Sequence, residues 1–303
     1  MRNSLKRSLE YLLRGSGLTG AARSFHRRGT FILAYHNIVP TGEAVRGEAS
    51  LHLRQEQFAQ QLELLQRTHD IVPLISLGQT DRRRRPRAVI TFDDACQGAL
   101  TAGVAELASR GLPATIFVAP GLLDGRTFWW DAFADPGTGT LPDDFREIAL
   151  GELQGNDAAI RVWANERGHE ARRAPAHQTG ATEVQLQKAV ETPGITLAAH
   201  SWSHSNLMRL AAHELPNEIV RPLNWLRERF AQVLPWLSYP YGRSSRLVEQ
   251  AAAAAGYLGG LLIEGGFVRG PLPMSRRFSI PRVNIPAGVS LDGFELRVSG
   301  LRS

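Results

Sequence analysis

Three features of this 303-residue chain predict an α/β fold built on a parallel sheet. Short apolar runs rich in β-branched residues alternate with amphipathic helical patterns along most of its length. The stretch Ala88–Val118 holds strand, helix and strand within about 30 residues, the size of a βαβ unit. Hydrophobic residues at 43% and charged residues at 21% are globular proportions, in a length that suits one large domain or two small ones. The pattern leaves a (β/α) barrel and a doubly wound sheet both open. In either, chemistry gathers at the carboxyl ends of the strands.

Residues 1–29 stand apart as a basic amphipathic segment. Leu5, Leu9, Leu12 and Leu13 fall at helical spacing, but Lys6, Arg7, Glu10 and Arg14 interrupt them. This is not the unbroken apolar core of a signal peptide. Two readings stay open for residues 1–28: a helix packed on the domain, or a peripheral contact with anionic lipid. Either predicts a cytoplasmic protein, the second at the inner face of the membrane.

Phe31–Tyr35 reads as a buried strand that ends at His36. Residues 55–67 form a helix with Phe58, Leu62 and Leu65 on one face. Arg82–Arg85 with Pro86 is a solvated turn. Ala88–Phe92 is the clearest strand; a helix follows to Arg110, closed by Gly111 and Pro113, and Ala114–Val118 is the next strand. Residues 124–193 break the rhythm and read as an insertion or lid over the site. Within them Asp143 and Asp144 read as a helix N-cap. The rhythm resumes with a strand at Ile195–Ala199 and a helix at 214–232, striped by Leu215, Ile219, Leu223, Leu226 and Phe230. Strands at Trp236–Tyr239, Tyr257–Ile263 and Phe278–Val283, with a helix at 244–255, complete the chain.

Composition excludes several classes. A single cysteine, Cys96, rules out a disulfide framework and a Cys-rich zinc module. No uninterrupted apolar run reaches the roughly 18 residues of a spanning helix. The net charge of +6 is carried by residues 1–30, which hold seven basic residues and one acid. Lys6 and Lys188 are the only lysines, so arginine explains the high isoelectric point. No nucleic-acid motif or interleaving of basic and aromatic residues appears, and no nucleic-acid partner is expected.

What stands at the strand ends is more telling. His36 follows the first strand, Asp93 and Asp94 follow Ala88–Phe92, and His200 follows Ile195–Ala199 with His204 four residues on. A carboxylate and two imidazoles form a three-ligand set for a catalytic divalent metal with one position open. Zn²⁺ is the default for such a set, and Co²⁺ or Ni²⁺ could substitute. Adjacent aspartates in extended chain point to opposite faces. The strand must therefore stop at Phe92 for one to bind metal while the other stays free as a base.

The ordered segments ITFDDA at 90–95, ATIFV at 114–118, HSWSH at 200–204 and YPYG at 239–242 resemble the polysaccharide deacetylases of the NodB-homology type, carbohydrate esterase family 4. FILAYHNIVP at 31–40 and RFSIPRVNI at 277–285 resemble the members with rearranged motif order. The resemblance runs from about residue 30 to 286 and implies an irregular (β/α)7-type barrel with residues 124–193 inserted, residues 30–303 forming the catalytic domain. It implies a hydrolase that removes N-acetyl groups from an N-acetylated sugar. Asp94, His200 and His204 would hold the metal, Asp93 would be the general base, and the backbone N–H of Tyr241 would stabilise the oxyanion. His36 would protonate the departing amine, since no histidine follows His213. An O-acetyl esterase, and a catalytically weak member that binds glycan or a glycosyltransferase, are the rival readings.

Departures from the family pattern fall on the site. Ala95 stands where glycine is usual, and Ser238 where an arginine usually braces the catalytic aspartate. Arg282 is the candidate replacement, with a surface arginine as the alternative. Cys96 could reach a metal or be a small buried thiol. His26, His52, His69, His169, His177 and His213 show no partner pattern and read as surface or cap residues. Trp129 and Trp130 read as core or as platforms for a sugar ring, and Trp202, between the two metal-type histidines, is expected near the site.

Overall fold

The apolar runs are the strands of a closed sheet. In a computed structural model that describes residues 10–13, 15–79, 85–269, 272 and 274–301, they are β1 (Gly29–Tyr35), β2 (Arg87–Phe92), β3 (Ala114–Val118), β4 (Ile195–Ala199), β5 (Val233–Ser238), β6 (Gly259–Gly265) and β7 (Ile280–Asn284). Each pairs in parallel with the next in chain order. Strand β7 then pairs in parallel with β1, matching Leu33 to Val283 and Ala34 to Asn284. That last pairing makes a seven-stranded barrel of what could have been a doubly wound sheet. Short strands at Asp70–Ile71 and Val268–Arg269 extend the sheet beside β2 and β1, and Asn37–Val39 pairs with His52–Arg54 in a separate two-stranded sheet.

Successive side chains on a strand point to opposite faces. Ile32, Val89, Phe117, Ala198, Trp236, Leu261 and Ile280, one from each strand, pack together inside the barrel. Their neighbours Phe31, Leu33, Ile90, Phe92, Ile116, Leu197 and Val283 belong to the larger core under the helices. There the helix Gln55–Thr68 supplies Phe58, Leu62 and Leu65, and the helix Leu215–Arg229 supplies Leu215, Ile219, Leu223 and Leu226. Both surfaces are therefore apolar, which is why the strands read as continuous hydrophobic runs.

Boundaries move by a few residues where packing overrides the local pattern. Strand β5 begins at Val233, β6 runs from Gly259 to Gly265, and the helix after Asp93–Asp94 is a π-helical segment, Ala99–Gly103, continued as α-helix to Ala108. Asp143 and Asp144 are the first two residues of the helix Asp143–Gly151 rather than its cap, which is Pro142. There their charge still faces the positive end of the helix dipole.

The segment 124–193 carries four α-helices, Trp129–Phe133, Asp143–Gly151, Asp157–Glu166 and Glu183–Val190. It has a core of its own in which Phe128, Trp129, Trp130, Leu141, Phe145 and Ile160 meet Cys96. At the amino end, residues 10–13 are helical and a second helix spans Leu18–Phe25. Leu5, Leu9 and Arg14 lie outside the described residues, as do residues 80–84 of the arginine-rich turn. Arg85 pairs with Asp70 at 3.0 Å. No helix among the described residues is long and apolar enough to cross a membrane.

Candidate metal centre and active site

The alternation that fills the barrel also selects the residues at its carboxyl-terminal rim. Continuing the inward parity past Ile32, Val89, Ala198, Trp236 and Ile280 gives His36, Asp93, His200, Ser238 and Arg282. Five strands thus aim one polar side chain each at the same space. Asp93 and His36 are held side by side by the β1–β2 register, in which Tyr35 faces Phe92 and the Asp93 N–H donates to the Tyr35 carbonyl at 2.9 Å.

Asp94 has the wrong parity and is brought in by the backbone. Its φ is +69° and that of Ala95 is +52°. The strand stops at Phe92 and the chain turns, so both carboxylates reach the rim. Ala95 meets the left-handed conformation with a Cβ where a glycine would be unstrained, at a cost of roughly 1 kcal/mol. Ser201 (+61°), His204 (+59°) and Tyr241 (+58°) share this conformation. Among the described residues seven non-glycines have positive φ, and five of them lie in the three loops that form the site. Backbone strain of this kind persists where surrounding structure over-determines it, commonly at active sites.

Asp94 Oδ1 lies 3.4 Å from His200 Nε2 and 3.3 Å from His204 Nε2. All three residues are buried, and their ligand-type atoms fall within 4.8 Å of one another. No hydrogen bond reaches that carboxylate oxygen. Bonds of about 2.0–2.2 Å to a tetrahedral ion place donor atoms roughly 3.3–3.6 Å apart. An orphaned buried oxygen between two imidazole nitrogens at that spacing fits a divalent cation, and the O, N, N set suits Zn²⁺. His200 Nδ1 donates to the Ser238 carbonyl at 2.8 Å, which fixes the tautomer with Nε2 free to ligate.

Asp93 is held by a fork. Arg282 Nη1 donates to its Oδ1 at 2.8 Å and Nη2 to its Oδ2 at 2.6 Å. Ser238 Oγ adds a bond to Oδ2 at 3.2 Å and accepts one from Arg282 Nη2 at 2.8 Å. Arg282 is itself fixed by the Leu262 carbonyl at 2.7 Å and Thr91 Oγ1 at 3.1 Å. The arginine absent from position 238 is thus supplied by β7, and Ser238 joins the same network.

Charge states follow from burial set against these neighbours. Burial alone would raise the Asp93 carboxyl, but Arg282 and His200 outweigh it and hold it below the ordinary carboxylate range. Burial opposes ionisation of Asp94 too, and the two imidazoles take its carboxyl well below that range. Burial lowers His204 despite Asp94, whereas in His200 the aspartates overcome burial and raise it. Burial also lowers His36, against the pull of Asp94 and Asp93.

These residues line a cavity of about 340 Å³ with His36, Trp129, Trp130, Tyr241, Glu48 and Arg146 in its wall. His36 faces the cavity outside the ligand set. The 124–193 segment contributes Trp129, Trp130, Arg146 and Leu150, and the Trp130 ring centroid lies 4.9 Å from that of His204. The two tryptophans are core and wall at once. Trp202 departs from expectation. The positive φ values of Ser201 and His204 turn both metal-type histidines inward and leave Trp202 outside the cavity, under Arg221 at 3.4 Å. Cys96 is buried, and burial pushes its thiol well up, as in an inert structural cysteine.

Of the histidines read as surface or cap residues, His52, His69 and His177 are buried; His69 is the C-cap of the helix Gln55–Thr68 and His52 that of the short turn Ala49–Leu51. His69 donates from Nε2 to the Val298 carbonyl at 2.8 Å. His52 donates from Nε2 to Asp131 Oδ1 at 2.8 Å, and Asn37 Nδ2 donates to the Nδ1 atoms of both His52 and His177 at 3.1 Å. His177 Nε2 closes the chain on the Ala44 carbonyl at 3.0 Å, and Asp131 Oδ1 also accepts the Glu48 N–H at 2.9 Å. This network ties the insertion to the loop that carries Glu48 and Ser50 into the cavity. Asp131, directly after the tryptophan pair, was the one local signal of it.

Comparison with known proteins gives a consistent result. The sequence model of the polysaccharide deacetylase family matches residues 80–260. The deacetylase PplD of Streptococcus pyogenes, solved with acetate, superimposes with a TM-score of 0.59 at 17% identity, over 89% of this chain and 97% of that one. IcaB of Ammonifex degensii gives 0.60 at 16% identity, over 90% and 96%. A polysaccharide deacetylase of Bacillus cereus gives 0.62 at 14% identity, over 89% and 69%. No curated protein matches the sequence.

Proposed function

Since this chain belongs to the polysaccharide deacetylase family, we propose that it is a metal-dependent N-deacetylase of an N-acetylated sugar, releasing acetate and the free amine. The observation that carries this reading is the pairing at one rim of an Asp94–His200–His204 trio, centred on an orphaned carboxylate oxygen, with an arginine-clamped Asp93.

Asp94, His200 and His204 would hold a divalent cation, which when bound supplies Lewis-acid polarisation of the acetamide carbonyl and acidifies water. Asp93 takes the proton of the attacking water. The Arg282 fork keeps it ionised and fixed in direction, and Oδ1, which accepts from Arg282 alone, retains a lone pair for the proton. As the carbonyl carbon becomes tetrahedral, the Tyr241 N–H, presented by the left-handed turn after β5, donates to the growing oxyanion. His36 enters the cycle neutral because burial disfavours its charge. Negative charge building beside it raises its proton affinity, so it takes up a proton from solvent and passes it to the departing nitrogen as the C–N bond breaks; His36 is then neutral again, and Asp93 returns the water's proton to solvent. Trp129 and Trp130 form an apolar wall against which a sugar ring can stack.

Acetate release from a panel of N-acetylated glycans, with O-acetylated glycans alongside and with and without chelator, tests the reading. Chelator-sensitive release from the N-acetylated members is expected. Release from O-acetyl esters alone would replace the deacetylase reading with an esterase, and no release from any member would remove it. His36→Ala should lower turnover on amides far more than on an activated ester, whose leaving group needs no proton; equal losses would make His36 architectural.

A further inference from the structure

The amino-terminal helix is turned inside out. In Leu18–Phe25 and the residue after it, Thr19, Ala22, Arg23 and His26, spaced by three and four, face the protein. Thr19 Oγ1 and Arg23 Nη1 both donate to Glu295 Oε1, at 3.1 and 2.8 Å. The apolar Leu18 and Phe25, seven residues apart on one line of the helix, stand off that anchored face and are 47% and 82% exposed. The preceding turn repeats the inversion. Glu10 is buried and accepts from Ser290 Oγ at 2.7 Å, while Tyr11 and Leu12 are 68% and 66% exposed. A surface helix of a globular protein ordinarily does the reverse.

The inversion is anchored along its length. The contacts follow the helix Leu291–Val298 from its N-cap Ser290 to Glu295, and His26 then abuts Gly300 so closely that a Cβ there would meet its ring at 2.8 Å. The charge pattern says what the outward face fits. Residues 11–30 contain four arginines and no acid. Arg27 and Arg28 follow Phe25 directly and are exposed. Arg269, also exposed, lies over Phe267, whose ring contacts that of His26.

We infer that this flank docks on an anionic lipid bilayer, with Tyr11, Leu12, Leu18 and Phe25 entering the headgroup–acyl boundary and the exposed Arg27, Arg28 and Arg269 meeting lipid phosphates. Apolar side chains rimmed by basic ones on a helix that lies along a surface are the features interfacial binding requires. A second copy of the chain fits less well, because apposing two such faces would bring like charges together.

The full chain should co-sediment with phosphatidylcholine vesicles that contain phosphatidylglycerol, more weakly with pure phosphatidylcholine, and less as salt rises. Leu18→Ser/Phe25→Ser should lower vesicle affinity by at least about tenfold, with thermal midpoint and acetate release from a soluble substrate unchanged. Arg27→Glu/Arg28→Glu should abolish the preference for phosphatidylglycerol. Failure of the unaltered chain to bind anionic vesicles, or undiminished binding by the serine variant, overturns the inference. So does a dimer in free solution that the serine substitutions dissolve, which would assign the face to self-association.

Discussion

Two buried aspartates, each beside histidine, serve opposite ends in this barrel. Asp94 Oδ1 has two imidazole nitrogens near 3.3 Å and no hydrogen bond, whereas Asp131 Oδ1 has one at 2.8 Å and a backbone N–H at 2.9 Å. Their carboxyls are displaced in opposite senses. Burial raises both, but the imidazoles reverse this for Asp94, while His52 does not for Asp131, which stays raised. Residue types and burial are the same. What separates the candidate ligand set from the tether is the oxygen that faces imidazole: Asp94 Oδ1 has no hydrogen bond, whereas Asp131 Oδ1 accepts two and only its Oδ2 is left without a partner.

The largest effect should come from the ligand set. Asp94→Ala, His200→Ala and His204→Ala should each lose bound metal, measured by elemental analysis of purified protein, and with it turnover. Asp131→Ala should keep one ion per chain. Metal loss in Asp131→Ala as well would erase the distinction between the two clusters.

Next is the base. Asp93→Asn should retain metal and fold while turnover drops by about 10²–10⁴-fold, since an amide cannot accept the proton. Near-normal turnover would take Asp93 out of the mechanism and leave its clamp as a structural ion pair.

The clamp itself sharpens the contrast between strained and satisfied charge. Arg282→Ala strands a buried carboxylate and should cost about 3–5 kcal/mol of stability, read from denaturant midpoints. Pairing it with Asp93→Asn should recover part of that loss, because the stranded charge is gone. If the double variant is no more stable than Arg282→Ala, repulsive desolvation of Asp93 is not the cause.

The smallest effect belongs to the tether. Asp131→Ala leaves the His52 and Glu48 N–H groups without an acceptor and should cost about 1–3 kcal/mol. Asp131→Asn keeps an acceptor and removes a reluctant charge, so it should match or exceed the unaltered protein at neutral pH. The sign follows from the raised carboxyl. Its contribution favours folding fully below the unfolded value and is lost as pH rises through the folded one. The advantage of Asp131→Asn in thermal midpoint should therefore grow from about pH 4 toward pH 7. An advantage independent of pH would mean that Asp131 is not the titrating group.

The rim was readable in the sequence because strand ends carry it. A short apolar run such as Phe31–Tyr35 announces a strand, and the polar residues that follow such runs, His36, Asp93 and His200, were expected together because the ends of parallel strands share one rim. Arg282 shares the inward parity of Ile280, yet a single arginine on a short last strand looks the same whether it ends in solvent or on a carboxylate. His52, His69 and His177 had no such rule. Their partners lie 79, 229 and 140 residues away in the chain, and no local pattern encodes a pairing made by tertiary folding. Trp202 failed for a related reason: the loop's left-handed turns, not its spacing, decide which side chains face inward.

The brace on Asp93 has a consequence for how the protein comes into being. Its two partners are 189 residues apart, and Arg282 sits on the last barrel strand to leave the ribosome. A nascent chain that has reached only β6 presents Asp93 without its arginine partner and a barrel with a gap between β6 and β1. Closing the gap and neutralising the carboxylate are one event. The emerging chain therefore cannot bury its rim early and wait; it must hold that end open until β7 arrives. The site with its braced Asp93 is thus complete only in a chain that includes β7.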